Sequence, residues 1–171
     1  MVNGQNGQRA VNRGLYEKTA WVGGASRGLG LAICERLAAE NVHLVMVART
    51  EDALVRHAER LHDQYGVRTL PLAGDLSKRN DVARLVEGAL QTTGGVDILM
   101  HNTGGPPPGR FMDHGDEAWN QAYEGLLLST IRLCRGLLPP MRQRRWGRIL
   151  INTSFAVREP EPNLILSNVS V

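Results

Sequence analysis

The stretch that decides the fold of this 171-residue chain is Gly23-Gly24-Ala25-Ser26-Arg27-Gly28-Leu29-Gly30. A short apolar run over residues 19–22 precedes it, and helical periodicity begins where it ends. Glycine lets the backbone turn sharply and lets a ligand come close. The start of a helix offers free N–H groups and the positive end of its dipole. The stretch therefore predicts a strand, an anion-binding turn and a helix, in that order.

Further short apolar runs alternate with helical periodicity along the rest of the chain. They cover residues 42–48, 69–72, 96–100 and 148–152. Each is apolar along most of its length, which is typical of strands that are covered on both faces. Five alternations of strand and helix indicate βαβ units. We therefore predict an α/β fold of the Rossmann type, a doubly wound parallel sheet with helices on both faces.

Apolar residues at helical spacing mark the segments between the strands, and we interpret them as core-facing stripes. After the glycine-rich stretch, Leu29, Ile33 and Leu37 repeat every four residues. A long helix is predicted over 116–138, with a stripe made of Trp119, Tyr123, Leu126, Leu127, Thr130 and Cys134. Residues 104–109 read Gly-Gly-Pro-Pro-Pro-Gly and must end the fourth strand, because proline donates no ladder hydrogen bond.

Composition narrows the class of protein. The net charge of +3 is too small to indicate nucleic-acid binding by itself, and it fits a protein that handles an anionic cofactor. Cys34 and Cys134 are interpreted as reduced, buried small residues, and the absence of a Cys/His cluster predicts no metal site. We find no signal peptide and no apolar run long enough to span a membrane, so we expect a cytoplasmic protein with no membrane partner. Residues 1–14 are predicted to be a flexible leader, and 15–171 a single domain.

Several motifs, in order along the chain, resemble the short-chain dehydrogenase/reductase family. The family's T-G-x-x-x-G-x-G appears at residues 23–30, with Gly23 in place of the threonine. It lacks the Lys-Ser/Thr of a P-loop, which disfavours a kinase or an ATPase. Three later matches are Gly74-Asp75-Leu76-Ser77, Asn102-Thr103-Gly104 and the Leu138-Pro139 to Ile149 junction. The resemblance covers residues 15 to about 167 and implies an oxidoreductase that uses a nicotinamide dinucleotide.

The resemblance also implies which residues hold the cofactor. Around the phosphates it places Gly24, Ser26, Arg27, Leu29 and Gly30. Asp75 and Leu76 would hold the adenine, and Asn102 and Gly104 would line the nicotinamide side. For Asp75, capping of the next helix is an alternative role that is compatible with the first. His101 matches no family role, and we interpret it as a hydrogen-bonded core or edge histidine.

The end of the second strand favours NADP over NAD. An acidic residue there binds the ribose 2′-hydroxyl in NAD enzymes, but this chain has Ala48 at that place, followed by Arg49. Arg27 lies in the glycine-rich stretch, and two guanidinium groups are suited to holding a 2′-phosphate. The alternative is that both arginines are merely solvated.

Most of the family's catalytic residues have no counterpart. Ser154 matches the serine that polarises the carbonyl, but the tyrosine place is Ser167, the lysine place is Val171 and the helix asparagine place is Leu126. Tyr123 lies on the long helix and does not replace the tyrosine. A divergent, 3-oxoacyl-reductase-like branch of the family is similar in carrying N-T-G-G-P-P and P-N-L-x-L-S-N, found here at 102–107 and 162–168.

Three functions remain open from the sequence. The first is NADPH-dependent reduction of a small carbonyl or oxidation of an alcohol, and the second is a nucleotide-binding module without turnover. Nucleic-acid binding ranks last and would use the cluster Arg142, Arg144, Arg145 and Arg148. By resemblance we also expect a homo-oligomer formed through helix 116–138. Because family members are longer, we expect the C-terminal part of the usual fold to be absent, which leaves strand five with an open edge.

Overall fold

The computed structural model describes residues 14–170, so most of the predicted leader lies outside the described part. Strands and helices alternate as predicted. The elements are β1 (Thr19–Gly23), α1 (Gly28–Ala39), β2 (His43–Ala48), α2 (Glu51–Tyr65), β3 (Thr69–Ala73), α3 (Arg79–Thr93), β4 (Ile98–His101), α4 (Asp116–Ala122), a π-helical turn (Tyr123–Leu128), α5 (Ser129–Gln143), β5 (Arg148–Ile151) and α6 (Ile165–Ser170). Two short 3₁₀ turns cover Phe111–Asp113 and Phe155–Val157.

The five strands form one parallel sheet in the order β3-β2-β1-β4-β5. The chain winds outward from β1 to β3 on one side and from β4 to β5 on the other. The strand order therefore reverses between β1 and β4, where Val22 of β1 pairs with Met100 of β4. Ligands of such sheets bind outside the carboxyl ends of the strands at this reversal. The Rossmann-type prediction is confirmed.

Burial on both faces of the sheet explains the unbroken apolar runs. Alternate residues of β1 enter two separate cores, with Val22 on the α1/α2 side and Trp21 on the α3/α5 side. All five residues of β1 are buried, as are residues 43–47 of β2. Strands covered in this way have no polar face to produce an alternating pattern.

The stripe predicted for α1 is wrong by one residue. The buried residues of this helix are Gly30, Cys34 and Ala38, while Leu29 is 56% exposed. These three residues are small, so the helix packs closely on the sheet. The larger Ile33 and Leu37 flank the contact. A search for large apolar residues therefore selects the neighbouring face.

The long helix also differs from the prediction of 116–138. It continues to Gln143, and the π-helical turn interrupts it. The hydroxyl of Ser129 donates to the Gly125 carbonyl at 2.6 Å, and that of Thr130 donates to the Leu126 carbonyl at 2.7 Å. Such bonds compete with the regular helical ladder. The extra residue in the turn changes the phase, so the predicted stripe is wrong and the buried residues are Ala122, Ser129, Leu133, Leu137 and Met141.

β5 lies at the edge of the sheet and all four of its residues are exposed. Ile149, Leu150 and Ile151 are each 40–48% exposed. Within residues 14–170, no strand pairs with the outer side of β5, so the predicted open edge is present in the described part. Because its backbone groups are unpaired and its side chains are apolar, such an edge can pair with a strand of another chain.

Both cysteines are free thiols on helices, with Cys34 buried in α1 and Cys134 partly buried in α5. Burial raises the pKa of Cys34 to about 12, so this thiol is unreactive at neutral pH. Within residues 14–170, no helix is both long and apolar enough to cross a membrane.

Candidate functional site

A cleft of about 1090 Å³ opens along the carboxyl ends of β1, β2, β3 and β4. Its walls are the loops that follow these strands, together with α4 and the π-helical turn. This volume lies slightly above the usual range for ligand pockets, about 300–1,000 Å³. The predicted cofactor residues that line it are Gly24, Ser26, Arg27, Arg49, Asp75, Leu76, Asn102 and Gly104.

The glycine-rich turn shapes the floor of the cleft through two close backbone approaches. A Cβ atom on Gly30 would overlap the Gly24 carbonyl group and would lie only 2.6 Å from its carbon atom. A Cβ atom on Gly23 would lie 2.6 Å from the Asn102 carbonyl oxygen. α1 begins at Gly28, so the N–H groups of its first turn have no intrahelical acceptor. These groups and the helix dipole favour an anion at this point.

Three cations gather at one end of the cleft. Arg27 precedes α1, Arg49 follows β2, and Lys78 precedes α3, and all three are exposed and line the cleft. In the described part of the chain, none of them forms a salt bridge. Among the described lining residues, Asp75 is the one carboxylate beside them, so the three cations leave an excess of positive charge that attracts a multiply charged anion.

Asp75 also lines the cleft, in the segment between β3 and α3. Its carboxylate accepts hydrogen bonds from the Ser77 amide at 3.0 Å and the Ser77 hydroxyl at 2.8 Å. Burial alone would raise the pKa of Asp75, but these two bonds, together with Arg49 and Lys78, lower it below its usual 3.8. The carboxylate is therefore ionised at neutral pH, and it holds the turn that leads into α3. Its predicted role at the adenine stays a prediction.

Asn102 ties together three strands at the reversal of the sheet. Its amide donates to the Gly23 carbonyl at 3.2 Å, and its side-chain oxygen accepts from the Asn152 amide at 2.8 Å. These bonds connect the ends of β1, β4 and β5. Both polar atoms of the Asn102 side chain thus have partners within the protein. Any contact with a ligand comes from its remaining hydrogen-bonding capacity or from its backbone.

The opposite end of the cleft carries no charge. Its lining residues are Asn102, Thr103, Gly104, Gly105, Pro106, Pro107, Ala118, Gln121, Ala122, Gly125 and Leu126. Leu126, at the place of the family asparagine, therefore faces the cleft with an apolar side chain. The polar groups at this end come from amides and a hydroxyl, which suit a neutral ligand.

Three predicted site residues lie elsewhere. Leu29 and Gly30 do not line the cleft, so any contact from them with a phosphate comes from their backbone N–H groups. Ser154 caps the turn at Phe155–Val157, where its hydroxyl accepts from the Ala156 amide at 3.2 Å, and it does not line the cleft either. Ser167 is 9% exposed on α6, and Val171 lies outside the described residues.

His101 is buried, as predicted for a core histidine, but only one of its ring nitrogens has a partner. Its Nε2 lies 3.2 Å from the Ser129 hydroxyl, while Nδ1 has no partner in the described part. Burial lowers the pKa of His101 to about 4, so the ring is neutral at physiological pH. The expectation that this histidine is fully hydrogen-bonded is wrong.

Two arginines of the cluster at 142–148 form contacts within the protein. Arg144 donates to the Val96 carbonyl at 2.8 Å and pairs with Asp97 at 3.2 Å. Arg148 lies over the ring of Trp146, 5.0 Å from its centre. These contacts give two of the four arginines a structural role. Among residues 14–170, no group of three or more histidines, cysteines or carboxylates is placed to hold a metal ion.

A family profile described as short chain dehydrogenase matches residues 18–166. The chain belongs to the short-chain dehydrogenase family. Dehydrogenase/reductase SDR family member 4 of Sus scrofa is 32% identical over 157 residues, which are 91% of this chain and 56% of that protein. Uncharacterized oxidoreductase YvrD of Bacillus subtilis is 33% identical over 151 residues, which are 88% of this chain and 56% of that protein. The chain thus spans little more than half the length of these relatives.

Solved structures of this family share the fold. L-sorbose reductase from Gluconobacter frateurii, complexed with NADPH and L-sorbose, superposes with a TM-score of 0.88 and 38% identity, over 91% of this chain and 59% of that chain. YwfH, an NADPH-dependent reductase involved in bacilysin biosynthesis, superposes with a TM-score of 0.86 and 26% identity, over 90% of this chain and 61% of that chain. These superpositions show that the chain shares its Rossmann-type fold with both neighbours.

Sequence reasoning missed Lys78 and Gln121, which both line the cleft. Lys78 follows the Asp75-Leu76-Ser77 motif directly, so its place beside that motif is evident from the sequence. Its position near Arg49 is not, because the two residues meet only when β2 and β3 pair. For Gln121, the signal is its place on the long helix, one residue from the buried Ala122.

Proposed function

We propose that this chain binds NADP in the cleft and supports hydride transfer between NADPH and an uncharged carbonyl or alcohol. One observation carries the proposal. The cations Arg27, Arg49 and Lys78 line the cleft beyond the carboxyl ends of β1, β2 and β3 without salt-bridge partners in the described part of the chain, and they outnumber the one lining carboxylate, Asp75. NADP differs from NAD by a 2′-phosphate on the adenine ribose, and a dianion is what such a cluster favours.

The uncharged end of the cleft supports the choice of substrate. Its proline, alanine and glycine residues offer no partner for a carboxylate or an ammonium group. Burying an unpaired charge against such a wall is costly. A neutral carbonyl group fits this environment, and the resemblance of the motifs at 102–107 and 162–168 to a 3-oxoacyl-reductase-like branch makes an acyl substrate part of the proposal. Two of the solved relatives are described as NADPH-dependent or NADPH-bound reductases, which agrees with this cofactor.

A second candidate is a nucleotide-binding module without turnover. Ser167 occupies the place of the family's tyrosine acid and is almost fully buried. A positioned general acid contributes typically 10²–10⁴-fold to a rate. Without it, cofactor binding would remain while reduction is slow or absent.

We also propose self-association through the long helix. Tyr123, Leu127, Ile131 and Leu138 are 39–49% exposed, and their spacing places them along one side of the helix. A row of exposed apolar side chains is typical of a surface that contacts another subunit.

Turnover distinguishes the two candidates. We expect NADPH to be consumed with neutral ketones or aldehydes and much more slowly with substrates that carry a carboxylate. The family resemblance assigns Ser154 to the carbonyl, although its hydroxyl accepts from the Ala156 amide and does not line the cleft in this structure. On that assignment, Ser154→Ala should lower the rate at least about tenfold and leave the Kd of NADPH unchanged. The measurement is the loss of NADPH absorbance, with calorimetry for the Kd. Tight NADPH binding without consumption of any substrate would favour the non-catalytic module.

A further inference from the structure

The structure joins two sequence motifs that the proposed function leaves unexplained. One is the glycine- and proline-rich loop that follows Asn102, and the other is Pro162-Asn163-Leu164-Ile165-Leu166-Ser167-Asn168. Gly109, at the end of the loop, forms a parallel bridge with Leu164. The Gly109 amide donates to the Asn163 carbonyl at 2.7 Å, and the Ile165 amide donates to the Gly109 carbonyl at 3.3 Å.

Side chains complete this connection. Arg110 Nε donates to Asn163 Oδ1 at 3.2 Å. Asn168 folds the second motif back on itself, since its amide donates to the Glu161 carbonyl at 3.0 Å and its Oδ1 accepts from the Glu161 amide at 3.2 Å. The fully buried Leu166 anchors the same segment. Both asparagines of the motif are therefore used in holding this segment in place. We call Gly109, Arg110, Asn163 and Asn168 the clamp.

The clamp matters because the loop it holds forms one wall of the cleft. Residues 103–107 line the uncharged end. Prolines 106–108 have no N–H group, so this stretch lacks backbone donors that could fix it to the sheet. The loop is instead held at its two ends, by the Asn102 bonds on the inner side and by the clamp on the outer side.

We propose that residues 161–168 act as a positioning element that fixes the 103–107 wall against the nicotinamide half of the cofactor and the substrate. This role rests on the proposed function. It gives the segment that carries Ser167, in place of the family tyrosine, a task that needs no acid group. The residues of the clamp act through the wall and do not touch the reacting atoms.

The test compares a whole cofactor with a fragment that lacks the nicotinamide half. NADPH and 2′,5′-ADP are titrated calorimetrically into the unmodified chain, Asn163→Ala and Arg110→Met. Loss of the clamp bond should raise the Kd of NADPH about threefold to tenfold, which is the worth of one such bond. The Kd of 2′,5′-ADP should stay unchanged, because this fragment needs only the cationic end. Asn80→Ala is the matched control, since Asn80 is exposed on α3 and does not line the cleft.

Hydrogen exchange gives a readout that does not depend on the cofactor. The amides of Gly109 and Ile165 should exchange slowly in the unmodified chain and faster in Asn163→Ala, with the strands unaffected. Three results would each overturn the clamp. They are an equal loss of affinity for NADPH and for 2′,5′-ADP, an unchanged affinity for NADPH, and unchanged hydrogen exchange at these amides. If the unmodified chain binds neither ligand, the proposed function fails, and the exchange experiment still decides whether the clamp holds the loop.

Discussion

At the scale of single residues, the fold constrains both the charge and the hydrogen bonding of His101. The Ser129 hydroxyl donates its proton to the Gly125 carbonyl at 2.6 Å, so it accepts from His101 Nε2 at 3.2 Å. The neutral ring therefore carries its proton on Nε2, and Nδ1 is a buried acceptor without a partner among residues 14–170. A buried acceptor of this kind destabilises the fold by about 1–3 kcal/mol.

His101 should make the protein less stable in mild acid. Its pKa is about 4 in the folded chain against its usual 6.5, so below pH 6.5 the unfolded chain takes up a proton that the folded chain does not. The free energy of unfolding should fall by up to about 3 kcal/mol between pH 6.5 and pH 4, and then level off with respect to this group. Denaturant melts at several pH values measure it.

His101→Gln is the comparison that isolates this effect. The pKa of His43 is also lowered by burial, so His43 contributes to the same pH range in both proteins. The loss due to Asp75 begins as the pH falls toward the ordinary pKa of 3.8 and is complete only below the lowered pKa of the folded chain, in stronger acid. The variant should therefore show a shallower fall between pH 6.5 and pH 4. An identical slope in both proteins would show that the burial of His101 has no such consequence.

At the scale of elements, the junction of β1 and α1 depends on contact between backbones. Gly30 packs directly on the carbonyl groups of Gly24 and Gly23, and a Cβ atom there would lie 2.9 Å from the Gly23 oxygen. Backbone atoms cannot move aside as a flexible side chain can. The turn and the helix therefore keep their relative position only if residue 30 is glycine.

Gly30→Ala should separate the turn from the helix. We expect a loss of about 1–3 kcal/mol in the free energy of unfolding, as for other overpacked sites, and a loss of stabilisation by NADPH. Thermal melts with and without NADPH measure both. Gly88→Ala is the matched control, because Gly88 lies in α3 with open space around it, and alanine there should be neutral or stabilising. An unchanged melting temperature in Gly30→Ala would contradict the close approach.

The helices also show where sequence patterns stop being informative. Strands were predicted to within two residues, because both faces of the sheet are covered and the apolar runs are unbroken. The stripe of α1 was misplaced because Gly30, Cys34 and Ala38 are small and give a weak apolar signal. The π-helical turn depends on where the hydroxyl groups of Ser129 and Thr130 point. Residue spacing contains no information on that choice.

At the scale of the whole molecule, the two ends of the cleft were predictable to different degrees. The glycine-rich turn and the Asp75 segment follow consecutive strands, so their meeting at one sheet edge follows from the parallel order. Lys78 and Arg49 line the same end of the cleft only because β2 pairs with β3, and this pairing is not evident from residue spacing. The contact between residues 109–110 and 163–165 joins segments more than fifty residues apart, and no regular strand pairing aligns them. No local pattern could have indicated that contact.

The central claim is that the cationic end of the cleft selects NADP, and calorimetric titration with NADPH and NADH tests it most directly. We expect NADPH to bind at least about tenfold more tightly than NADH, and Arg49→Gln and Lys78→Gln each to reduce that preference by weakening NADPH binding, since a charge-assisted bond is worth about 1.5–3 kcal/mol. Arg56→Gln is the control, because it removes the same charge from an exposed residue of α2 outside the cleft. Equal affinity for the two cofactors, or a preference that Arg49→Gln and Lys78→Gln leave unchanged, would contradict the account.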